Sequence, residues 1–392
     1  MRTSVLRRSI AVPAITAVAL ALAACSSSGD QQQEQQQQPA AAETSTTTTT
    51  TTSTTTPRAS RTAEPAQAEQ SAQAEVAAQT QTEQQQVEQE DQAKSGDGAG
   101  MGPGDAVAVI DPADYDSLSP RLQLLRDSGY PVYEHPGGYT IALGTPDLSP
   151  GLHRISVVIE GPEGLVEFPA IGVTAMSQDQ PAMVQDAVAR FSRFPDGIRG
   201  FHVTALNFDR PGRWALVMSI PHRDGFQTVA IALHVAEDTS SPSVGDAAPP
   251  SQNRTILTVP NIGDLSTGDE PDPGLYLLTV EDAIAATQPF VVVFASPGFC
   301  TNAFCGPQAQ VLSELRERYP TGVNYIHIDL YENPEGVRLG ETPIETPILE
   351  EWGLHTDEWT FVVDAQGKVH ARFEAFAPFA EVEAALLELI EG

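Results

Sequence analysis

Residues 26–104 set the first bound on what this chain can fold into. They hold a Gln-rich run over 31–38, Thr tracts over 46–52 and 54–56, and then Ala/Gln/Glu-rich sequence in which large apolar side chains are nearly absent. Such a segment buries too little apolar surface to offset the entropy of ordering it, so a disordered tether is expected over 25–104. Its 69–92 portion, rich in Ala, Glu and Gln, has transient helical propensity. The Thr tracts are either plain linker or a surface stalk carrying O-linked sugar. The foldable part is expected to begin near residue 105.

The first 24 residues read as an export signal. Arg2, Arg7 and Arg8 precede the apolar run IAVPAITAVALALAA, which is too short for a comfortable membrane span. The run closes with LAAC, ending at Cys25, and Ser-Ser-Ser-Gly-Asp follows. This resembles the lipobox of bacterial lipoproteins. The resemblance implies that Cys25 is diacylated and becomes the mature N-terminus, lipid-anchored to the cell membrane on its extracytoplasmic face. The alternative is ordinary cleavage that leaves Cys25 free.

The formal net charge of -31 argues against nucleic acid as a partner, which calls for a basic surface. It also argues against electrostatic adhesion to anionic lipid, so the expected membrane contact is the lipid anchor. There are three cysteines. With Cys25 assigned to lipid, Cys300 and Cys305 remain, five positions apart, in an oxidising compartment that favours their joining in a disulfide.

The stretch 105–237 reads as β structure. GYTIALGTP, LHRISVVIEG, GLVEFPAIGVTAM, GFHVTALNF, RWALVMSI and QTVAIALHV alternate apolar and polar residues between Pro/Gly turns. Six or so short strands at this spacing suggest an antiparallel sandwich, and FHVTALNFDRPGRWALVMSI resembles the last hairpin of immunoglobulin-like domains. A short helix is expected at 116–129. A Pro/Ser/Asp-rich linker is expected over 238–260.

A different rhythm begins in 261–392. LTVEDAIAATQ suggests a helix capped by Thr279, FVVVFASP a buried central strand, GPQAQVLSELRERY a helix, VNYIHIDLY a strand, WTFVVDAQGKVHARFE a hairpin and FAEVEAALLELI a last amphipathic helix. This order, with Cys-Gly-Pro where the first long strand meets its helix, resembles the thioredoxin fold of exported, membrane-tethered thioredoxin-like proteins. The expected fold class is thus multidomain: a disordered tether, an all-β immunoglobulin-like sandwich, and an α/β thioredoxin-like domain.

The resemblance implies thiol–disulfide exchange with exported protein thiols or disulfides, or with a membrane electron donor, and calls for no cofactor. Cys305 stands where a helix N-terminus can lower a thiol pKa and is the expected nucleophile. The family's second cysteine lies one turn into the helix, where this chain has Gln308. Cys300 is then the candidate resolving thiol. The chain departs from the family pattern at three further places. Phe304 replaces a Trp, Val293 replaces a buried acid that accepts a proton, and Glu358 replaces a cis-proline facing the motif. Glu358 is expected beside Cys305, where it would raise the thiol pKa.

Two other readings remain open. In one, Cys300 and Cys305 form a structural staple in a binding or scaffold lipoprotein. In the other, Cys300, Cys305 and His355 are ligands for Cu(I), since two soft thiolates and an imidazole suit that ion. The sequence shows no phosphate loop, no Ser/His/Asp arrangement and no zinc spacing.

Overall fold

The computed structural model describes residues 108–181, 184–223, 225–299, 304 and 307–391. The expected signal peptide, Cys25 and the tether lie outside the described residues, as do Cys300 and Cys305.

The N-terminal half is built from one continuous sheet. Its strands are β1 (Val109–Ile110), β2 (Val132–His135), β3 (Tyr139–Leu143), β4 (Gly151–Gly161), β5 (Gly164–Leu165), β6 (Ala170–Ser177), β7 (Val184–Arg193), β8 (Gly200–Phe208), β9 (Gly212–His222) and β10 (Gly225–Val235). A helix, α1 (Pro120–Asp127), lies between β1 and β2. The hydrogen-bonded order is β1-β10-β9-β6-β7-β8-β4-β3-β2, with β5 paired to β4, giving ten strands. The pairing is antiparallel except for β1, which runs parallel to β10.

This overturns the expected immunoglobulin-like sandwich, because no break divides these strands into two facing sheets. The reason lies in strand length. β4, β9 and β10 have 11 residues each, long enough to bend and change partners along their course. β4 pairs with β8 over Gly151 to Val157 and with β3 over Val157 to Glu160, so the sheet turns a corner without an interruption. The two ends of the sheet approach each other: just past β1, the Ala113 N–H donates to the Val132 carbonyl in β2 at 2.8 Å. The result is a nearly closed, barrel-like sheet. Side chains fill its interior, among them Ile141, Ile155, Ile159, Leu206, Leu216, Met218 and Ile231.

The C-terminal part carries a second sheet. Its elements are α2 (Val280–Ala285), β11 (Phe290–Phe294), α3 (Gln308–Arg318), β12 (Asn324–Ile328), α4 (Pro334–Arg338), α5 (Ile348–Glu351), β13 (Trp359–Val363), β14 (Val369–Glu374) and α6 (Phe379–Ile390). The four strands lie in the order β12-β11-β13-β14, with β11 and β12 parallel and the other pairs antiparallel. Local signals explain these elements. Thr279 and Asp282 form a capping box at the start of α2. Gly367, with φ of 76°, makes the β13–β14 turn at a backbone angle that favours glycine.

The expected α/β domain does not stand apart from the β half. One core cluster joins Leu125, Tyr130, Val158, Phe194 and Phe201 of the first half to Val293, Phe304, Leu312, Phe376 and Leu386 of the second. Phe194 stacks on Phe376 with ring centroids 4.8 Å apart. The Arg154 guanidinium, in β4, binds the Glu381 carboxylate at 2.7 Å and the carbonyls of Glu374 and Phe376 at 3.2 and 3.0 Å. The shared core explains why Ile155 to Ile159 of β4 are all buried: the barrel interior covers one face and the second sheet's elements cover the other. Among the described residues no helix is long and apolar enough to cross a membrane.

Candidate functional site around the cysteine segment

β11 is buried at every position because β12 and β13 flank it and helices cover both faces of the sheet. It ends at Phe294, Ala295 and Ser296 lead into a short 3-10 turn at Pro297–Phe299, and the segment with both cysteines comes next in the sequence. The root of that segment is fixed by Asp329, a buried carboxylate just beyond β12. Ser296 Oγ donates to Asp329 Oδ1 at 2.7 Å, and the Tyr331 N–H donates to the same oxygen at 3.3 Å. Oδ2 accepts from the Thr267 N–H at 2.6 Å and from Thr267 Oγ1 at 2.8 Å. The Gly298 N–H in turn donates to Thr267 Oγ1 at 3.1 Å. With this many donors a buried carboxylate is well satisfied, and it orders both chains it touches.

A buried aromatic and an amide hold the far side of the segment. Phe304, expected where the family has Trp, packs on Tyr130 at 4.7 Å, and its carbonyl accepts from the Phe376 N–H at 3.1 Å. Gln308, standing where a second cysteine is expected, is buried, and its Oε1 accepts from the Ala377 N–H at 2.9 Å. Its Nε2 has no hydrogen-bond partner among the described residues. The position therefore ties the start of α3 to the strand-to-helix connection after β14. The helix itself begins at Gln308, with Pro307 as N-cap residue.

Val293 is buried and lies opposite His327 of β12 in the parallel register. The polar group missing at Val293 is thus present one strand away. His327 is 1% exposed; its Nε2–H donates to the Ala295 carbonyl at 3.0 Å and its Nδ1 accepts from the Tyr276 hydroxyl at 2.7 Å. These partners fix the neutral tautomer with the proton on Nε2. Burial pushes the His327 pKa down, opposed by the nearby Asp329 carboxylate. Burial likewise pushes the Tyr276 phenol up. Sequence reasoning passed over His327, Asp329 and Tyr276. A signal was present in VNYIHIDLY: Tyr325, His327 and Asp329 alternate with Ile326, Ile328 and Leu330, so the polar-capable residues share one face of the strand.

A groove of about 770 Å³ opens beside the described residues that flank the segment. Pro297 and Pro307, which bracket the cysteines in sequence, both line it, together with Tyr276, Ser266, Arg199 of the β7–β8 turn and Ser313 of α3. Asp196, Asp269, Glu270 and Asp272 give its walls an acidic character, with Asp196 paired to Arg199 and Asp272 to Arg316.

Glu358 is fully buried immediately before β13, and its carbonyl accepts from the Ala375 N–H at 2.8 Å. Its charge is among the causes that raise the Tyr130 phenol, after burial and Asp357. Tyr130 packs on Phe304, so Glu358 belongs to the buried surroundings of the residue before Cys305. His355 is exposed and lines a different cavity, of about 610 Å³, with Asp127, Glu345 and Glu350. Among the described residues no three His, Cys, Asp or Glu side chains converge as metal ligands, and the two cysteines of the proposed copper set lie outside them.

Comparison with known proteins gives little. No protein-family model matches the chain, and no curated protein matches it. Among solved structures, it is similar to a putative thiol:disulfide interchange protein DsbE from Chlorobium tepidum, with 18% identity and a TM-score of 0.27, over 38% of this chain and 99% of that one. The likeness is partial, and the functional reading rests on the chain's own residues.

Proposed function

We propose that this chain is an extracytoplasmic protein, anchored to the membrane through lipid on Cys25, that exchanges disulfides with exported proteins through Cys305 and Cys300. The supporting observation is that Pro297 and Pro307, flanking the segment with the cysteine pair, both line a groove large enough for a polypeptide segment. In the exchange, the Cys305 thiolate attacks a partner disulfide, forming a mixed disulfide and releasing one partner thiolate. The Cys300 thiolate then attacks Cys305, forming the intrachain disulfide and releasing the reduced partner. The pair is restored by a thiol donor at the membrane. The same steps in reverse oxidise a partner dithiol.

The staple reading, with a structural disulfide in a scaffold protein, draws support from Gln308. Its amide is committed to the Ala377 backbone, so the family's second thiol position is used here for packing. Trapping separates the two readings. Under exchange, Cys300→Ser accumulates mixed disulfides through Cys305 in exported extracts, and the Cys300→Ser/Cys305→Ser double variant accumulates none. A Cys300→Ser protein that traps nothing, together with a reduction potential below about -300 mV for the native pair, overturns the exchange reading.

A further inference from the structure

We propose that the cavity where the start of β4 meets β14 is a binding site for a small organic carboxylate with an aliphatic body. The inference does not depend on the cysteine pair. The cavity measures about 530 Å³, within the range of small-molecule sites, and it lies at the joint between the two sheets. Its polar anchor is Arg372 of β14, which lines it and whose side chain is 9% exposed. Nη2 donates to the Asp147 carbonyl at 3.1 Å and to Asp147 Oδ2 at 2.9 Å. The Trp359 ring covers one face of the guanidinium, with its centroid 5.0 Å from Cζ. The N–H groups of Nε and Nη1 are left without an acceptor among the described residues. Unmatched guanidinium donors are costly in a buried place, and a carboxylate supplies two charged acceptor oxygens for them. Asp147 and Trp359 fix the guanidinium before a ligand arrives, so binding orders little that is not already ordered. His153 of β4 lines the same cavity and adds a donor. Its Nε2 accepts from the Ser149 N–H at 3.4 Å, which places the proton of the neutral ring on Nδ1. Burial, with the Arg372 charge, pushes the His153 pKa down and keeps the ring neutral.

The protein's own carboxylates are committed elsewhere. Asp147 Oδ1 accepts from the N–H and hydroxyl of Ser240 at 2.8 and 2.9 Å, and Oδ2 from those of Ser241 at 3.1 and 2.7 Å, besides its bond to Arg372. Glu381 binds Arg154, and Glu388 binds His370. Glu374 accepts from the Thr356 hydroxyl and the Asp147 N–H, and burial raises its carboxyl pKa to about 8, so at neutral pH it carries no charge to repel an anion. The two cations Arg154 and Arg372 are thus balanced by Glu381 and Asp147. One added negative charge is tolerated there, whereas a doubly charged phosphate meets more repulsion. The apolar part of the lining sets the ligand's body. Leu152 of β4 and Val244, in the chain between the sheets, both line the cavity and are 72% and 62% exposed. A hydrocarbon chain lying against them removes aliphatic surface from water.

Calorimetric titration of the full-length protein at neutral pH tests the site with four probes: hexanoate, acetate, hexan-1-ol and inorganic phosphate. Hexanoate is expected to bind at one site with a Kd of about 0.1–1 mM. Acetate lacks the body, hexan-1-ol lacks the charge and phosphate carries too much of it, so each is expected to bind at least about tenfold more weakly. Arg372→Gln removes the anchor and is expected to abolish hexanoate binding. That variant also breaks the pair with Asp147, so a second one leaves the folded core alone. Leu152→Glu changes an exposed side chain, should leave the Tm unchanged, and sets a like charge at the cavity, weakening hexanoate about tenfold. Val188→Glu adds the same charge on β7, at a position 56% exposed and outside the cavity lining, and is expected to leave the affinity unchanged. No saturable uptake of hexanoate, hexan-1-ol or phosphate binding as tightly as hexanoate, or equal loss in Leu152→Glu and Val188→Glu overturns the proposal. None of these readouts involves a thiol, so the site stands or falls separately from the exchange reading.

Discussion

Ser296 and Asp329 meet at 2.7 Å, joining the end of β11 to the end of β12 directly before the cysteine segment. The parallel register makes this contact possible. Phe294 and Ile328 are the last paired residues of the two strands, so the residues just beyond each emerge side by side. Asp329 also gathers Thr267, which carries the contact on to Gly298.

Removing that carboxylate leaves the Thr267 and Tyr331 N–H groups without their acceptor in a buried place. Asp329→Ala is expected to cost about 3 kcal/mol or more. For a domain of this size that corresponds to a fall in Tm of about 6 to 12 °C. Thermal unfolding by circular dichroism checks it; an unchanged Tm would show that Asp329 does not order this corner.

Gly144 and Phe304 are expected to be energetically coupled. A Cβ on Gly144 would lie 2.5 Å from Phe304 Cε1. Gly144→Ala should therefore destabilise by about 1–3 kcal/mol through overpacking. Phe304→Ala should cost about 3–5 kcal/mol through its cavity. The double variant should lose less than the sum, since the smaller side chain makes room for the methyl. Chemical denaturation of the four proteins measures the coupling, and strict additivity would count against this contact between the two sheets.

Arg154 bridges the sheets with a planar fork that reaches Glu381 and two carbonyls at once. An ammonium cannot match that geometry, so Arg154→Lys is expected to cost about 2–3 kcal/mol although the charge is kept. The urea midpoint reads the loss. A Lys variant as stable as the native protein would reduce Arg154 to a simple counter-charge.

Glu374 should make the protein less stable as pH rises. It is buried between Thr356 and the Asp147 backbone, and burial raises its carboxyl pKa to about 8 despite the Arg372 charge nearby. The folded chain therefore holds a proton that the unfolded chain releases at ordinary carboxylate pH. That proton's contribution is full below the unfolded pKa and is lost as pH climbs through about 8. Native stability is expected to fall by a few kcal/mol (about 2–4) from acid to mildly alkaline pH, and Glu374→Gln should flatten the profile. Equilibrium unfolding across that range is the check, with equal slopes for both proteins as the contrary result.

Much of the second sheet was legible as sequence. The Thr279 cap, the unbroken apolar run of β11 and the spacing of α6 are local signals, and local signals survive into the structure. The β half was misjudged because strand propensity does not say how strands are ordered. VQDAVARFSR, with Asp, Gln and two Arg, escaped notice as β7, yet it joins β6 to β8 in the continuous sheet.

What the sequence determined by itself was the inventory: a low-complexity N-terminal stretch, three cysteines of which two lie five apart, strands marked by alternation, and helices marked by caps and spacing. What only the tertiary structure decided was adjacency. Register set His327 beside Val293 and Asp329 beside Ser296, and the sharing of one core between the two sheets turned Phe304 and Gln308 into packing residues. The physical reason is that caps, turns and periodicity depend on neighbours a few residues away, whereas a buried polar group is satisfied by whichever distant strand the fold brings alongside it.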